Sequence, residues 1–295
     1  MTSDAYAWRF TGDPKEFLER TGAFLRSEPA LHTVLLTVTD RLRKEGVAAY
    51  GEEPPYFGRL ADEDGTARAA LLRTPPYALQ LTALTADAAD ALAVRLAEDG
   101  RPLPSASGPA AAAAAFAAAW GRRTGADVRL TQRQRLYRLG TLTPPAPAPS
   151  GTARRAAPED RDLITRWFTS FCEDVGDPAP RHPEHWVESR LGQGGITLWE
   201  TPEGTPVSMA AAAPEVAGQI RVTTVYTPAP LRGRGYAGAA TAAASRAALD
   251  SGAAEVLLFT DLANPASNGL YQRLGYRAVT DFAMYEFGDP APTGD

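Results

Sequence analysis

After Pro14 the apolar residues fall into a helical rhythm: Phe17, Leu18, Thr21, Phe24 and Leu25 share one face, and Leu31, Val34, Leu35, Val38 and Leu42 form a second such stripe. A period near 3.6 predicts two amphipathic helices. The rhythm then shortens, and residues 56–61, 67–73 and 77–84 read as strands separated by DEDG and TPP turns. A helix over residues 86–98 follows. LPSASGP then leads into an alanine-rich helix, and VRLTQRQRLYRL ends the half as a strand.

The second half repeats a similar order. TARRAA is strand-like, and PEDRDLITRWFTSFCEDVG is an amphipathic helix with Pro158 and Glu159 suited to its first turn. A second helix is expected over residues 183–191. ITLWE and VSMAAAAP make strands of a meander, and IRVTTVYT, β-branched and alternating, is a further strand. A glycine-rich loop then opens a helix that Gly252 stops. VLLFT has the continuous apolar character of a buried parallel strand. NPASNGLYQRLG reads as a helix and YRAVTDFAMYEF as a hairpin. The expected fold class is α+β.

Between the halves lies PPAPAPSG, whose four prolines resist helix and sheet and read as an extended linker. It sets the expected domains at residues 1–143 and 152–287, joined by a linker at 144–151, with a disordered tail at 288–295. A hydrophobic share of 44% suits a chain that buries a real core. A formal charge of −5 argues against nucleic acid and anionic membrane as partners. Cys172 is the only cysteine, which excludes an internal disulfide and a cysteine zinc cluster. MTSDAYAWRF lacks the pattern of a signal peptide and no stretch has the length of a spanning helix, so a cytoplasmic location is expected.

GRGYAG, residues 233–238, fits the G-x-G-x-x-G spacing of dinucleotide-binding loops. A strand precedes it, a helix follows, and the next strand ends at Asp261, where a ribose-binding acid is expected. Three features oppose that reading. Too little chain follows Gly238 for further parallel units; six residues separate Tyr226 from Gly233; and Arg232 and Arg234 flank the first glycine. No G-K-S/T follows, so a Walker A loop fails as well. The phosphate chemistry remains, because glycines let backbone N–H groups approach an anion and the helix start adds free donors and a positive dipole end. The two arginines add charge that forks onto phosphate oxygens.

TTVYTPAPLRGRGYAGAA followed by NPASNGLYQRLGYR resembles the GNAT superfamily of acyl-CoA-dependent N-acetyltransferases. The family loop, Gln/Arg-x-x-Gly-x-Gly/Ala, is met by Arg232, Gly233, Arg234, Gly235, Tyr236 and Ala237. The second block, a strand, an Asn-containing helix and a Leu-Gly-Tyr ending, matches residues 257–277. The resemblance covers residues 152–287, and the two similarly ordered halves resemble tandem GNAT proteins in which one lobe has lost its cofactor site. It implies two GNAT-like lobes, each a mixed, mostly antiparallel twisted sheet flanked by helices. In the second lobe the central strands would splay, with VSMAAAAP diverging from IRVTTVYT. It also implies acetyl-CoA as cosubstrate. Val225, Tyr226 and Thr227 would pair with the pantetheine amides, the loop from Arg232 through Gly238 would cradle the pyrophosphate, and Asn264 and Asn268 would line the pantetheine arm. Tyr271 sits where the family often carries the phenol that protonates the departing thiolate.

Asn264 before Pro265 is equally well explained as a helix N-cap, and the two roles can coexist. Transfer to an amine needs a carboxylate to take its proton. Glu173 is the first choice, then Asp174, since the family places substrate contacts in that region; Glu215 and Glu200 are alternatives. His182 and His185 in HPEH lack a clear third ligand, so no metal is expected. The first half has SASGP ahead of its alanine-rich helix, with Pro109 removing a donor, so it is expected not to bind CoA. The implied activity is N-acetyl transfer to a primary amine, on a small molecule or peptide, by direct attack in a ternary complex. A non-catalytic acyl-CoA sensor and an enzyme acting on a cysteinyl amino-sugar are the alternatives, and a homodimer is compatible with either.

Overall fold

Asp13 accepts a hydrogen bond from the Lys15 N–H at 2.8 Å and Pro14 takes the first helical position, which starts α1 (Pro14–Ser27) where the sequence places it. The structure is a computed structural model describing residues 7–176 and 182–290. Two compact units emerge from the packing. One comprises Met1–Arg135, Asp261–Ala263 and Thr280–Asp295; the other comprises Leu136–Thr260 and Asn264–Val279.

The first unit runs β1 (Trp8–Thr11), α1, α2 (Thr33–Glu45), β2 (Tyr56–Ala61), β3 (Ala67–Arg73), β4 (Leu79–Leu81), α3 (Ala86–Glu98), β5 (Ser105–Pro109), α4 (Ala110–Thr124) and β6 (Ala126–Leu139). β1, β2 and β3 pair antiparallel, whereas β4 and β5 are parallel. The apolar stripe of α1 buries Phe17 and Leu25, with Phe17 stacked on Phe57 of β2 at 4.8 Å. Leu92 and Leu96 of α3 and Phe116 and Trp120 of α4 share a core with Leu71, Leu79 and Leu81. SASGP, read as a lead-in to the alanine-rich helix, is the strand β5 itself; β1 was likewise not expected. Small residues allow this, since a Cβ on Gly108 would stand 2.8 Å from the Leu81 carbonyl oxygen.

The second unit repeats the order: β7 (Thr152–Arg155), α5 (Arg161–Val175), α6 (Pro183–Gly192), β8 (Ile196–Glu200), β9 (Pro206–Ala212), β10 (Gln219–Tyr226), α7 (Tyr236–Asp250), β11 (Glu255–Asp261), α8 (Pro265–Arg273) and β12 (Tyr276–Pro290). Its strands lie in the order β6-β11-β10-β9-β8-β7. α7 is almost all small residues and so lies close on the sheet, with Ala240, Thr241 and Ser245 fully buried. The Ser245 hydroxyl and the Tyr276 phenol hydrogen-bond at 2.7 Å, closing α7 onto β12.

YRAVTDFAMYEF is not a hairpin. It forms one continuous strand, β12, because no glycine or proline interrupts it before Gly288 and Arg135 holds the Asp281 carboxylate in a two-pronged contact at 2.6 and 3.0 Å. In the first unit β12 pairs antiparallel with β5, from Phe282 opposite Pro109 to Glu286 opposite Ser105. Residues 288–290, expected in a disordered tail, prolong this strand; residues 291–295 lie outside the described residues. The boundary of the compact units therefore falls within β6 and β12 and not at the proline-rich stretch. That stretch packs inside the second unit. Pro145 and Pro149 lie 3.5 and 3.8 Å from the positions where Cβ atoms on Gly238 and Gly235 would stand.

A charged knot ties β7 to its neighbours. The Arg154 guanidinium donates to both Asp160 oxygens at 2.6 and 2.8 Å and to Glu200 at 2.6 Å. Arg154, with the Ala157 N–H, holds the Asp160 carboxyl below the usual carboxylate range. A depressed pKa contributes stability that is complete above about pH 4 and lost as pH falls through the folded value. Arg154→Gln should therefore destabilise the protein by about 2 kcal/mol at neutral pH and by clearly less near pH 3. Denaturant unfolding at both pH values checks this, and an equal deficit at both would refute the linkage.

Candidate active site

β10 departs from regular pairing where its chemistry begins. Against β9 its register runs Val222 opposite Ala212 but Val225 opposite Ala210, so β10 carries one extra residue between these pairs. Such a bulge bends a strand and raises its twist. On the other edge the parallel pairing with β11 runs from Gln219 opposite Glu255 to Val222 opposite Leu258 and stops there. The splay therefore opens between β10 and β11. The expectation that VSMAAAAP diverges is corrected, since β9 stays paired through Tyr226 opposite Met209. An antiparallel partner can absorb the bulge in its own ladder, whereas the parallel partner has no matching residue to give. Residues 223–226 are left with a backbone edge unclaimed by β11.

Local bonds pin the end of this strand. The Ser208 hydroxyl donates to the Tyr226 carbonyl at 3.0 Å and lies 2.9 Å from the Thr227 hydroxyl. Trp167 of α5 packs on the Tyr226 ring at 6.0 Å. Beyond Pro228 a short 3₁₀ turn, Ala229–Leu231, leads to Arg232, whose Nε donates to the Thr227 carbonyl at 3.0 Å and whose Nη2 pairs with Asp174. Arg232 thus folds the loop back on itself and ties it to α5. Arg234 is exposed, with one bond to the Pro230 carbonyl at 3.3 Å.

Gly233 and Gly235 have φ of +79° and +84°, the left-handed region that disfavours side chains. No atom lies within 4 Å of where a Cβ on Gly233 would stand, so the loop is open on that side. α7 has no side-chain cap, and its first intrahelical bond runs from Ala239 N to the Gly235 carbonyl. The N–H groups of Tyr236, Ala237 and Gly238 precede it, which leaves free donors at the positive end of the dipole. Gly238 serves packing: a Cβ there would meet Leu270 of α8 at 2.9 Å.

On α8, the Asn264 side chain caps the helix by accepting from the Ser267 N–H at 3.0 Å. The Asn268 amide donates to the Asn264 carbonyl at 2.8 Å and accepts from the Tyr137 hydroxyl at 3.1 Å, which also receives a bond from Gln272. Tyr271 is the buried residue of this helix. Its ring meets Tyr276 edge-on at 6.1 Å, its hydroxyl makes no hydrogen bond among the described residues, and burial pushes its pKa up to about 12.

Residues 161–276 match the Acetyltransferase (GNAT) family. This segment is a GNAT domain. The fold likeness extends over both units. A GCN5-related N-acetyltransferase from Sphaerobacter thermophilus is 18% identical, with all of both chains covered and a TM-score of 0.65. A GNAT-family acetyltransferase from Colwellia psychrerythraea is 11% identical, covering 95% of this chain and 99% of its own, at 0.60. A tandem GNAT protein from the clavulanic acid biosynthesis pathway is 12% identical over 98% and 100% of the two chains, at 0.56. No curated protein matches the sequence. No helix among the described residues is long and apolar enough to cross a membrane.

Among the carboxylates of the GNAT domain, Glu173 is exposed at the end of α5, next to the Asp174 that touches the loop. Glu200 is held by Arg154, and Glu215 accepts from the Gly218 N–H at 3.2 Å. Sequence reasoning missed Ser208, Tyr137 and the pairing of Asp174 with Arg232, contacts between residues far apart in the chain that leave no local signal. It also missed Glu184. This carboxylate lies 2.9 Å from His182, and its ligand atoms and those of both histidines fall within 4.8 Å of one another, an exposed group able to hold a metal at the start of α6.

Proposed function

We propose that the C-terminal unit transfers an acetyl group from acetyl-CoA to a primary amine, by direct attack within a ternary complex. The release of β10 from β11 beyond Val222, leading into the open Gly233–Gly235 loop and uncapped α7, carries this reading. The free edge of residues 223–226 suits the pantetheine amides, and the loop N–H groups with Arg234 suit the pyrophosphate. Acetyl-CoA supplies an activated thioester carbonyl. Glu173 takes the proton that the amine must lose before its nitrogen bonds to that carbon. As the carbon–sulfur bond breaks, Tyr271 donates its proton to the departing sulfur. The raised pKa of Tyr271 keeps that proton in place at working pH.

The N-terminal unit is proposed as a lobe without a cofactor site, and the corresponding segment supports this. β4 and β5 pair at Leu79 opposite Ala106 and Gln80 opposite Ser107, and a Cβ on Gly108 would stand 2.8 Å from the Leu81 carbonyl oxygen just beyond. α3 follows with no glycine loop, and Thr85 caps it through the Ala88 N–H. Its donors are partly spent, whereas those of α7 are free.

Titration of the full chain with acetyl-CoA should give one site per chain, and thiol release should follow with some member of an amine panel. Gly235→Val should weaken acetyl-CoA binding by roughly tenfold or more, because a β-branched residue resists positive φ. Two sites per chain would overturn the one-lobe reading. Tight binding with no thiol release for any amine would make the protein a sensor.

A further inference from the structure

The first unit holds a cleft of about 720 Å³ that the acetyl-transfer chemistry does not use. It lies where β2 begins and β3 ends, beside the segment leading into β5, and is lined among others by Glu53, Tyr56, Arg73, Arg101, Trp120 and Phe287. This is the end from which β4 and β5 set out. The loop of the GNAT domain follows the opposite end of its strand, so the cleft is not a remnant of a cofactor site.

Arg73 is the unusual member. Only 6% of it is exposed, and its guanidinium donates to the carbonyl oxygens of Tyr77 through Nε and Pro102 through Nη1 and to the Tyr56 phenol. No carboxylate pairs with it among the described residues. Carbonyls satisfy donors but leave the charge uncompensated, and further N–H groups remain. A second cation stands close by. The Arg101 guanidinium lies 5.1 Å from the centre of the Tyr56 ring, and Tyr56 is itself buried; burial raises its phenol pKa, and the charges of Arg73 and Arg101 only partly offset that rise. Opposite, Trp120 and Phe287 pack at 6.0 Å and offer an aromatic wall.

From this we infer that the N-terminal unit binds a small organic monocarboxylate, its carboxylate on Arg73 and Arg101 and its apolar body against Trp120 and Phe287. A planar carboxylate matches the guanidinium fork. Glu53 and Asp289 also line the cleft, so a phosphate dianion meets roughly twice the repulsion that a single negative charge meets. The volume falls within the range of small-molecule sites.

Calorimetric titration of the full chain with benzoate, 3-phenylpropionate and hexanoate tests this, with benzamide and inorganic phosphate as controls. At least one carboxylate should bind at about millimolar concentration or below, with benzamide and phosphate weaker by roughly tenfold. Arg101→Gln, at an exposed site that leaves the fold intact, should lower carboxylate affinity by roughly fivefold or more without changing acetyl-CoA affinity. Arg73→Met should abolish it; should that variant not fold, Arg101→Gln decides alone. Failure of all three carboxylates to bind, equal binding by the Arg101 variant, or phosphate binding as tightly as benzoate would each overturn the proposal.

Discussion

Gly275→Ala should destabilise the protein by roughly 3 kcal/mol or more, a large share of the stability of an ordinary domain. Gly275 has φ of +97°, and a Cβ there would stand 1.9 Å from the Thr141 carbonyl oxygen. The clash is with backbone, which no rotamer change relieves. That backbone is also bonded in place, Gly140 N to the Gly275 carbonyl and Thr143 N to the Leu274 carbonyl, each at 3.0 Å. Gly204→Ala is the control, since φ there is +82° and nothing lies within 4 Å. It carries only the conformational cost of about 1–2 kcal/mol. Denaturant midpoints compare the two, and equal losses would show that the close approach to Thr141 contributes nothing.

Tyr271→Phe should lower kcat by roughly 10- to 100-fold while leaving the KM for acetyl-CoA and the melting temperature nearly unchanged. The ring carries the packing against Tyr276, and phenylalanine keeps it. The hydroxyl makes no hydrogen bond among the described residues, so its removal costs the fold little. In the proposed mechanism, what disappears is the proton for the departing sulfur. The effect stays moderate because a thiol of pKa about 8.5 already yields a fair leaving group. With the phenol at about 12, the wild-type rate should rise as the acceptor amine loses its proton and show no alkaline fall near pH 10 caused by Tyr271. An unchanged kcat in the variant would leave Tyr271 as a packing residue.

How far the site could be read in advance depended on the range of the interaction. The Asn264 cap and the backbone freedom of Gly233 and Gly235 follow from residues a turn or so apart, and each could be written down from GRGYAG and NPASNG alone, whereas the packing role of Gly238 rests on Leu270, far along the chain. Arg232 could be assigned to the loop but not to its partner, because Asp174 lies 58 positions away and only the packing of α5 brings it near. The hairpin expected in YRAVTDFAMYEF shows the same limit, since alternation predicts a strand but not which neighbour keeps it extended.

Periodicity, capping and glycine placement within short windows were enough to read the helices, most of the strands, the glycine-rich loop and the family likeness. Folding set the rest: β11 and not β9 leaves β10, β6 and β12 each serve both units, the prolines lie along α7, and Arg73 is buried with no carboxylate paired to it among the described residues. Register and charge pairing are settled by strands and side chains that meet only after the chain has folded, and no local window contains both partners.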